Sequence, residues 1–526
     1  MLMAWALASG ARGTTLYVSP AGTHQYPFAN WTEASTSIPI AVQSAPNNAT
    51  VLLAKAEFVL EQEIRITNSL VLRGNNGAKN TVVDGGQTFR CVSVTCNEAV
   101  LDGLTFMHGK ASIGGGIYCN GTNILINNCI VTGNEAEYGG GAFIDDGRVT
   151  IVNCTVSSNL AHRVQAKSEW PQSSGGGLFI KDNNCRVLRC TIRENQATPA
   201  GEGGGLMLYH PVYYSSGNFS TDPIAAAEIA DCLIESNRTD FTGGGVACFG
   251  WNYDLPFCTQ YDLFFTNCTI RGNTSQHGAG FYHCYWGTIP HLSNCRVEEN
   301  EGTGNGAGVR LFNTYYIDQY GVCQSTSVFV NCNIAFNRAT NNQAVYVSDS
   351  LCYFLNSVIW SNEVLGSMRL DTSGQGTQQE AEYCCIEGGY PGIGLHREGN
   401  TNANPLLNDR VHLFPGSPCI DKGTNLAWMA GTRDCDGQPR VFNGRVDIGV
   451  DEAVVEAQGV NPTNAWRLSW EVVPQGVYQL QSAGSISQAT WNDEGGAFTA
   501  NEWNISLEIT NRSEDIQCHR LLWKQP

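Results

Sequence analysis

The sequence predicts an all-β solenoid, a parallel β-helix with a short helical cap at its N-terminal end and a small β-sandwich domain at its C-terminal end. Three observations carry this expectation: a cysteine-anchored segment that recurs along the chain, an asparagine five residues after every anchor, and a glycine run beyond each asparagine. The copies read NNCIVTGN, VNCTVSSN, LRCTIREN, ADCLIESN, TNCTIRGN, SNCRVEEN, VNCNIAFN and LNSVIWSN. Their anchors are Cys129, Cys154, Cys190, Cys232, Cys268, Cys295 and Cys332, with Ser357 in the eighth place. The matching asparagines are Asn134, Asn159, Asn195, Asn237, Asn273, Asn300, Asn337 and Asn362. The glycine signatures run GGGIY, GGGAF, GGGLF, GGGLM, GGGVA, GAGFY and GAGVR before decaying to NQAVYV.

The shortest anchor spacing, Cys129 to Cys154, is 25 residues, which suits one coil of a solenoid. The frame of leucine-rich repeats is missing, and helical repeats would not tolerate so much Gly, Thr and Asn. Two places after each glycine run are apolar and alternate with a third: Ile117 and Cys119, Leu178 and Ile180, Leu206 and Leu208, Val309 and Leu311. These side chains therefore face inward, and the residue between them faces out. In the cysteine strand the anchor shares its inward face with Val131, Val156, Ile192, Ile234 and Ile270. Stacked coils then pair in parallel roughly 4.8 Å apart. Glycine supplies backbone conformations and close approach that other residues forbid. Asparagine is expected to take the left-handed bend and to bond its copy in the next coil, and cysteine to fill a tight interior.

In chain order, residues 1–13, MLMAWALASGARG, read as an export signal lacking a basic first segment, or alternatively as a buried first strand. Residues 14–49 form the N-terminal cap, where WTEASTSIPIAVQSA has the pattern of a short amphipathic helix covering the open end of the stack. The β-helix occupies residues 50–400, about ten coils, beginning at ATVLLAKAEFVL and continuing through SLVLRGNNGAKNTVVDGG. In the copy GLTFMHG, Leu104 stands for the cysteine and Gly109 for the asparagine. Residues 401–455 close the stack, and 460–526 alternate as strands of a small β-sandwich.

Composition narrows the partners. With 48 acidic and 30 basic residues the formal charge is -18, and no basic cluster stands out, which disfavours nucleic acid and anionic membranes. Charged residues are few and Gly is abundant, as in secreted β-rich proteins. No stretch is long enough to span a membrane as a helix. The 21 cysteines are odd in number, and seven of them occupy one place in the repeat, so the ladder is expected to be core filler.

The IxxN and GGG cadence of residues 50 to 400 resembles the repeats of chlamydial polymorphic outer-membrane proteins and, more broadly, bacterial right-handed β-helix proteins of the pectate-lyase-like class. The resemblance implies a right-handed winding and leaves activity open, because that fold carries lyases, hydrolases, adhesins and stalks. The polymorphic proteins end in a membrane barrel, whereas nothing after residue 400 has that pattern. The stretch SPCIDKGTNLAWMAGTRDCDGQPRVFNGRVDIGVDE, residues 417–452, closely resembles the choice-of-anchor Q module, which implies export and surface retention. Within it Cys419 and Cys435 are the best disulfide candidate, and DCDG, Asp434 to Gly437, reads as a structural turn rather than a calcium loop. The last segment loosely resembles C-terminal domains of secreted planctomycete and verrucomicrobial proteins, without an LPxTG signal.

Candidate chemistry gathers on the outward row Tyr118, Phe143, Phe179, Met207, Ala247, Tyr282, Arg310 and Tyr346. Beside it lie insertions rich in Tyr and Trp, among them Trp251, Tyr253 and Trp286. One reading makes Tyr118, Phe143, Phe179, Tyr282, Arg310, Tyr346, Trp251, Tyr253 and Trp286 a carbohydrate-binding face on which sugar rings stack. The other has the insertions fold down and bury the row as a second core. An elimination reaction needs a base and charge neutralisation on a uronate, roles open to Tyr282 and Arg310, one coil apart. A structural cation over an aromatic ring is the alternative for that pair. A glycosidase needs two carboxylates about 5 to 10 Å apart. Asp145 is the nearest outward acid, and Asp254, Asp262 and Asp318 lie in loops. Lys181 is four coils from Arg310, too far to share a site. His283 reads as a buried, hydrogen-bonded residue, and His210 and His291 as loop residues without a spaced partner. No metal cluster and no cofactor motif are expected. The leading reading is a secreted or cell-surface monomer that binds a polysaccharide or other glycan. A polysaccharide lyase or glycoside hydrolase using the same groove, and a passive adhesin or stalk, are the alternatives.

Overall fold

A computed structural model describes residues 13–145, 147–163, 173–181, 184–211, 227–251, 261–285, 288–318, 321–340, 343–362, 369–370, 378–389, 398–453 apart from 409 and 415, and the strands of residues 457–524. Each winding contributes four short strands, for example Ile117–Cys119, Ile124–Asn127, Ile130–Thr132 and Glu135–Ala136. Every strand pairs in parallel with its copy one winding on, Tyr118 opposite Phe143, Ile126 opposite Ile151, Val131 opposite Val156 and Ala136 opposite Ala161. The strands after the glycine runs make an 11-stranded sheet from Ile64–Ile66 to Arg369–Leu370, and the short strands after the asparagines make a seven-stranded one. This is a parallel β-helix. Its pairing starts before residue 50, because Thr15–Val18 lies parallel to Ala49–Leu53 with Thr15 opposite Thr50.

The cap helix is shorter than its amphipathic pattern. It spans Ile38–Ser44, with Pro39 in its first turn, and buries Ile38, Pro39, Ala41 and Val42. Proline lacks an N–H and crowds the preceding turn, so the helix cannot extend back toward Trp31.

The interior repeats the sequence column by column. Cys129, Cys154, Cys190, Cys232, Cys268, Cys295 and Cys332 are all buried thiols. Each donates to carbonyls of the wall, as Cys154 Sγ does to Val152 O at 3.2 Å. Beside them runs an amide ladder. Asn134 Nδ2 donates to Asn159 Oδ1 at 2.9 Å, and the same bond repeats upward to Asn337 and Asn362 at 3.1 Å. Each side-chain oxygen also accepts the backbone N–H of the asparagine below, 3.0 Å from Asn134 N to Asn159 Oδ1. At the lower end Gly109 N–H donates to Asn134 Oδ1 at 2.8 Å, so the glycine does close the ladder as its place in the repeat implies.

The left-handed bend falls one residue earlier than expected. Gly133, Ser158, Glu194, Ser236, Gly272, Glu299, Phe336 and Ser361, each just before a ladder asparagine, have φ between 51° and 63°. The asparagine keeps ordinary backbone geometry and spends its amide on the ladder. The first glycine of each run is also left-handed, Gly203 at φ 61° for instance. The third answers a different need: a Cβ on Gly205 would stand 2.7 Å from Gly245 O and 2.8 Å from Asn237 Nδ2.

A second compact unit comprises Leu355–Trp360, Glu382–Gly389 and Arg397–Pro526. Val358, Cys385, Leu413, Cys419 and Ile448 form its core, and Arg440 is wholly buried, donating to the carbonyls of Val450 at 2.8 Å and of Gly449. The expected Cys419–Cys435 bond is absent. Cys419 is buried against Cys385 in that core, whereas Cys435 rides the DCDG turn, which Asp434 fixes by accepting N–H bonds from Gln438 at 2.7 Å and Glu452 at 3.0 Å. The last segment holds two antiparallel sheets, one joining Ala457–Gln458, Ala465–Glu471 and Asn504–Thr510, the other centred on Val477–Ala483. Among the described residues no helix is long and apolar enough to cross a membrane.

Candidate functional site

The outward row is one column in space. Tyr118, Phe143, Phe179, Met207, Ala247, Tyr282, Arg310 and Tyr346 stand opposite one another in unbroken succession. It is not an exposed face, however. Phe143, Phe179, Met207, Ala247 and Tyr282 belong to a second core together with Phe249 and Cys284, and Arg310 is 9% exposed. The glycine strands run past the row and lay Tyr209, Phe249, Tyr285 and Phe312 against it, while Ile113 and Tyr138 close the other side. Phe143 and Phe179 stack 4.8 Å apart, and Tyr118 stacks on Phe143 at 6.1 Å. Of the proposed glycan face, Tyr118 and Tyr346 remain half-buried. Tyr253 and Trp286 lie outside the described residues, as do Asp254 and the side chains of Trp251 and Asp318.

The lower end of the column is saturated. Asp145 accepts a hydrogen bond from the Tyr118 hydroxyl at 3.1 Å and pairs with Lys181 at 2.7 Å, which leaves neither as a ready acid or base.

The upper end is different. The Arg310 guanidinium lies over three rings, 5.4 Å from Tyr282, 4.8 Å from Phe312 and 5.7 Å from Tyr346. Among the described residues its Nε is buried without a hydrogen-bond partner and no carboxylate pairs with it. Rings within about 6 Å attract a cation, but a desolvated guanidinium also wants an anion and directed acceptors. Its field is felt nearby: burial and then the Arg310 charge push His277 down to about 4. His277 Nδ1 accepts the backbone N–H of Asn305 at 2.9 Å, so the ring is neutral and acts as an acceptor. Burial raises Tyr282 well above the usual phenol range, which suits a donor and opposes a base.

Sequence reasoning tracked the residue after each glycine run and missed the one before it. Ile113, Tyr138, Ser174, Glu202, Thr242 and His277 form a second column of parallel bridges alongside the first. It brings His277 near Arg310 and buried Glu202 near Tyr282 and Cys284, whose pKa values the Glu202 charge raises further. The residue at a fixed place ahead of each GGG was the available signal.

The histidines divide. His283 is buried, with Nδ1 2.9 Å from Ser327 Oγ and Nε2 3.1 Å from Thr288 Oγ1, and burial drops it to about 3. His291 is a strand residue rather than a loop residue, bonded to Asp262 at 2.8 Å and stacked on Phe264 at 5.0 Å. His210 also lies in a strand, Leu206–Pro211. Against the expectation of no metal cluster, His412, Asp436 and Asp451 each place a donor atom within 4.8 Å of the other two. Protein contacts account for their orientation: Asp436 takes bonds from Gln438 at 3.0 Å and faces His412 at 3.5 Å, and Asp451 accepts Leu413 N–H at 2.8 Å.

Residues 64–257 match the family described as the right handed beta helix region, and the fold is a right-handed parallel β-helix. No curated protein matches the chain. Among solved structures it is similar to pectate lyase Pel9A, at 12% identity and TM-score 0.43 over 83% of this chain and 96% of that one. A pectin methylesterase from Aspergillus niger follows at 12% identity and TM-score 0.26, covering 76% and 93%. The enzymatically active domain of tailspike protein 4 from bacteriophage CBA120 stands at 13% and 0.23, covering 93% and 64%. These likenesses are distant, and the site stands on its own residues.

Proposed function

We propose that the chain is an exported β-helix protein that binds an acidic polysaccharide at the upper end of its glycine-strand sheet, around Arg310. One observation carries the reading: a guanidinium buried among Tyr282, Phe312 and Tyr346 whose Nε has no partner among the described residues. A carboxylate on a sugar supplies the countercharge that no described acid gives this cation, since charge-assisted hydrogen bonds from a guanidinium are the strong ones. Half-buried rings beside it suit the apolar face of a pyranose. The neutral His277, whose Nδ1 already accepts Asn305 N–H, has its Nε2–H as a donor to a sugar oxygen. Export and a monomeric state fit the repeat architecture and the closing module.

Binding is favoured over β-elimination because Tyr282, His277 and Lys181 are each poor bases. Tyr282 is held protonated, His277 has lost basicity, and Lys181 is committed to Asp145. The test is affinity electrophoresis of the full chain in polygalacturonate, alginate and a neutral glucan, with absorbance of unsaturated ends followed in parallel. Retardation by the acidic polymers that Arg310→Ala abolishes supports the reading. Equal retardation of wild type and variant removes it, and new unsaturated ends would move the chain to the lyases.

A further inference from the structure

We infer that His412, Asp436 and Asp451 form a binding site for a divalent first-row metal ion, zinc before the others, on the second compact unit. One donor atom from each side chain lies within 4.8 Å of the other two. The three come from separate segments of that unit. His412 belongs to the strand His412–Leu413 of a short hairpin, Asp436 to the DCDG turn, and Asp451 to the run that buries Val446, Ile448 and Val450. Asp451 is 3% exposed, while the side chains of His412 and Asp436 keep 25% and 28% of their surface, which leaves an ion a way in from solvent.

The separations fit a shared ion better than a direct bond. His412 Nε2 stands 3.5 Å from Asp436 Oδ2, beyond the range of about 2.7 to 3.2 Å for an N–H···O hydrogen bond. Two donors each about 2.0 to 2.2 Å from one tetrahedral zinc ion are about 3.4 Å from each other. A second observation lies beside the pair. Gln438 Nε2 donates to Asp436 Oδ2 at 3.0 Å, and the other end of that amide, Oε1, is buried with no hydrogen-bond partner among the described residues. A half-turn of the amide brings this oxygen to the Asp436 carboxylate, where an ion between the two oxygens satisfies both and gains a fourth donor.

Hydrogen bonds to the backbone arrange the set in advance. Asp451 Oδ2 accepts the N–H of Leu413, the residue after His412, at 2.8 Å. Asp434 Oδ1 holds the turn by accepting Asp436 N–H at 3.3 Å and Gln438 N–H at 2.7 Å. Contacts of this kind orient ligands before the metal arrives. One imidazole, two carboxylates and no thiolate suit zinc or manganese. Calcium takes about six to eight oxygens and magnesium an octahedron of oxygens, so an imidazole serves neither. The bound ion ties the hairpin, the turn and the buried run together, and stabilises the folded unit by mass action. The inference is independent of the glycan reading.

The experiment is equilibrium dialysis of the full chain, first stripped with a chelator, against zinc chloride, with bound metal counted by plasma mass spectrometry and thermal unfolding followed with and without the ion. The expected result is one zinc per chain and a melting temperature that rises with zinc. Asp436→Asn and His412→Ala each weaken binding by about 100-fold or more, the upper end of what loss of an outer partner costs a metal site, and remove the zinc-dependent rise. Cys435→Ser changes neither. Asp436→Asn keeps the shape of the side chain, so loss of metal there reads the ligand and not the fold. A wild-type chain that binds no zinc overturns the assignment, as does zinc retained in both ligand variants or lost in Cys435→Ser. A rise in melting temperature with calcium that zinc does not match also overturns it.

Discussion

Two corners of the same winding handle polar groups in opposite ways. At the asparagine corner repetition satisfies itself: every amide finds its partner in the copy above or below, and the ladder needs nothing from outside. At the upper end of the glycine strands the repeat breaks, Arg310 arrives in a column of aromatic residues, and its Nε finds no acceptor among the described residues. In a solenoid, a residue that breaks its column is the one to examine for function, because the column accounts for the rest.

Four measurements test that contrast. The largest effect belongs to the ladder. Asn195→Ala removes its bonds to Val156 O and Asn237 Oδ1 and strips Asn159 of its acceptor. At about 1 kcal/mol per net hydrogen bond, unfolding in urea should show a loss of about 3 to 4 kcal/mol. A loss under about 1 kcal/mol would mean the ladder is ornamental.

Arg310→Met tests the other corner. It should weaken acidic-glycan binding by about tenfold or more, the worth of a charge-assisted hydrogen bond. The melting temperature should hold or rise, because methionine keeps contact with the same rings and relieves a buried Nε that has no hydrogen-bond partner among the described residues. A sharp fall in melting temperature with binding intact would assign Arg310 to structure alone.

The second unit supplies an intermediate case, acids that are buried yet bonded. Burial raises Asp447 to about 6 and Glu452 to about 8, and raises Asp434 to about 7 with help from Asp436. Folded values above the unfolded ones mean that the folded state binds these protons more tightly. Their contribution is therefore complete below the unfolded carboxylate range and is lost as pH rises through about 6 to 8. The urea midpoint of this unit should be lower at about pH 9 than at about pH 5, and the reverse order would contradict the burial of these acids.

The smallest effect is expected at the thiols. Ser357 already fills the cysteine place in the eighth copy, donating its hydroxyl to Leu355 O at 2.9 Å. Cys295→Ser should find the same kind of acceptor at Ser293 O and cost about 1 kcal/mol, read from the same urea titration.

The fold was legible because the repeat is a register. Once Cys129 and Cys154 are aligned, Tyr118 must stand beside Phe143, and it does. Burial of the row was not legible, because it depends on strands such as Val246–Trp251 running on past it, and nothing in the repeat fixes where a strand stops. The first strand, Thr15–Val18, escaped notice because it comes before any copy of the signature. The Cys419–Cys435 pairing came from sequence proximity, which does not show that Cys419 is buried in a core with Val358, Leu413 and Ile448 while Cys435 sits at a partly exposed turn. Glu202 and His277 were overlooked although the rule that found Arg310, applied one side of the glycines over, would have found them.

The bonded amides of the ladder are separated along the chain by 25, 36, 42, 36, 27, 37 and 25 residues, yet their spacing stays near 3 Å. Thread can therefore be looped out between one rung and the next without altering the pitch of the spool. Selection is free to lengthen, shorten or exchange a surface excursion on a single turn, and the neighbouring turns need not register the change.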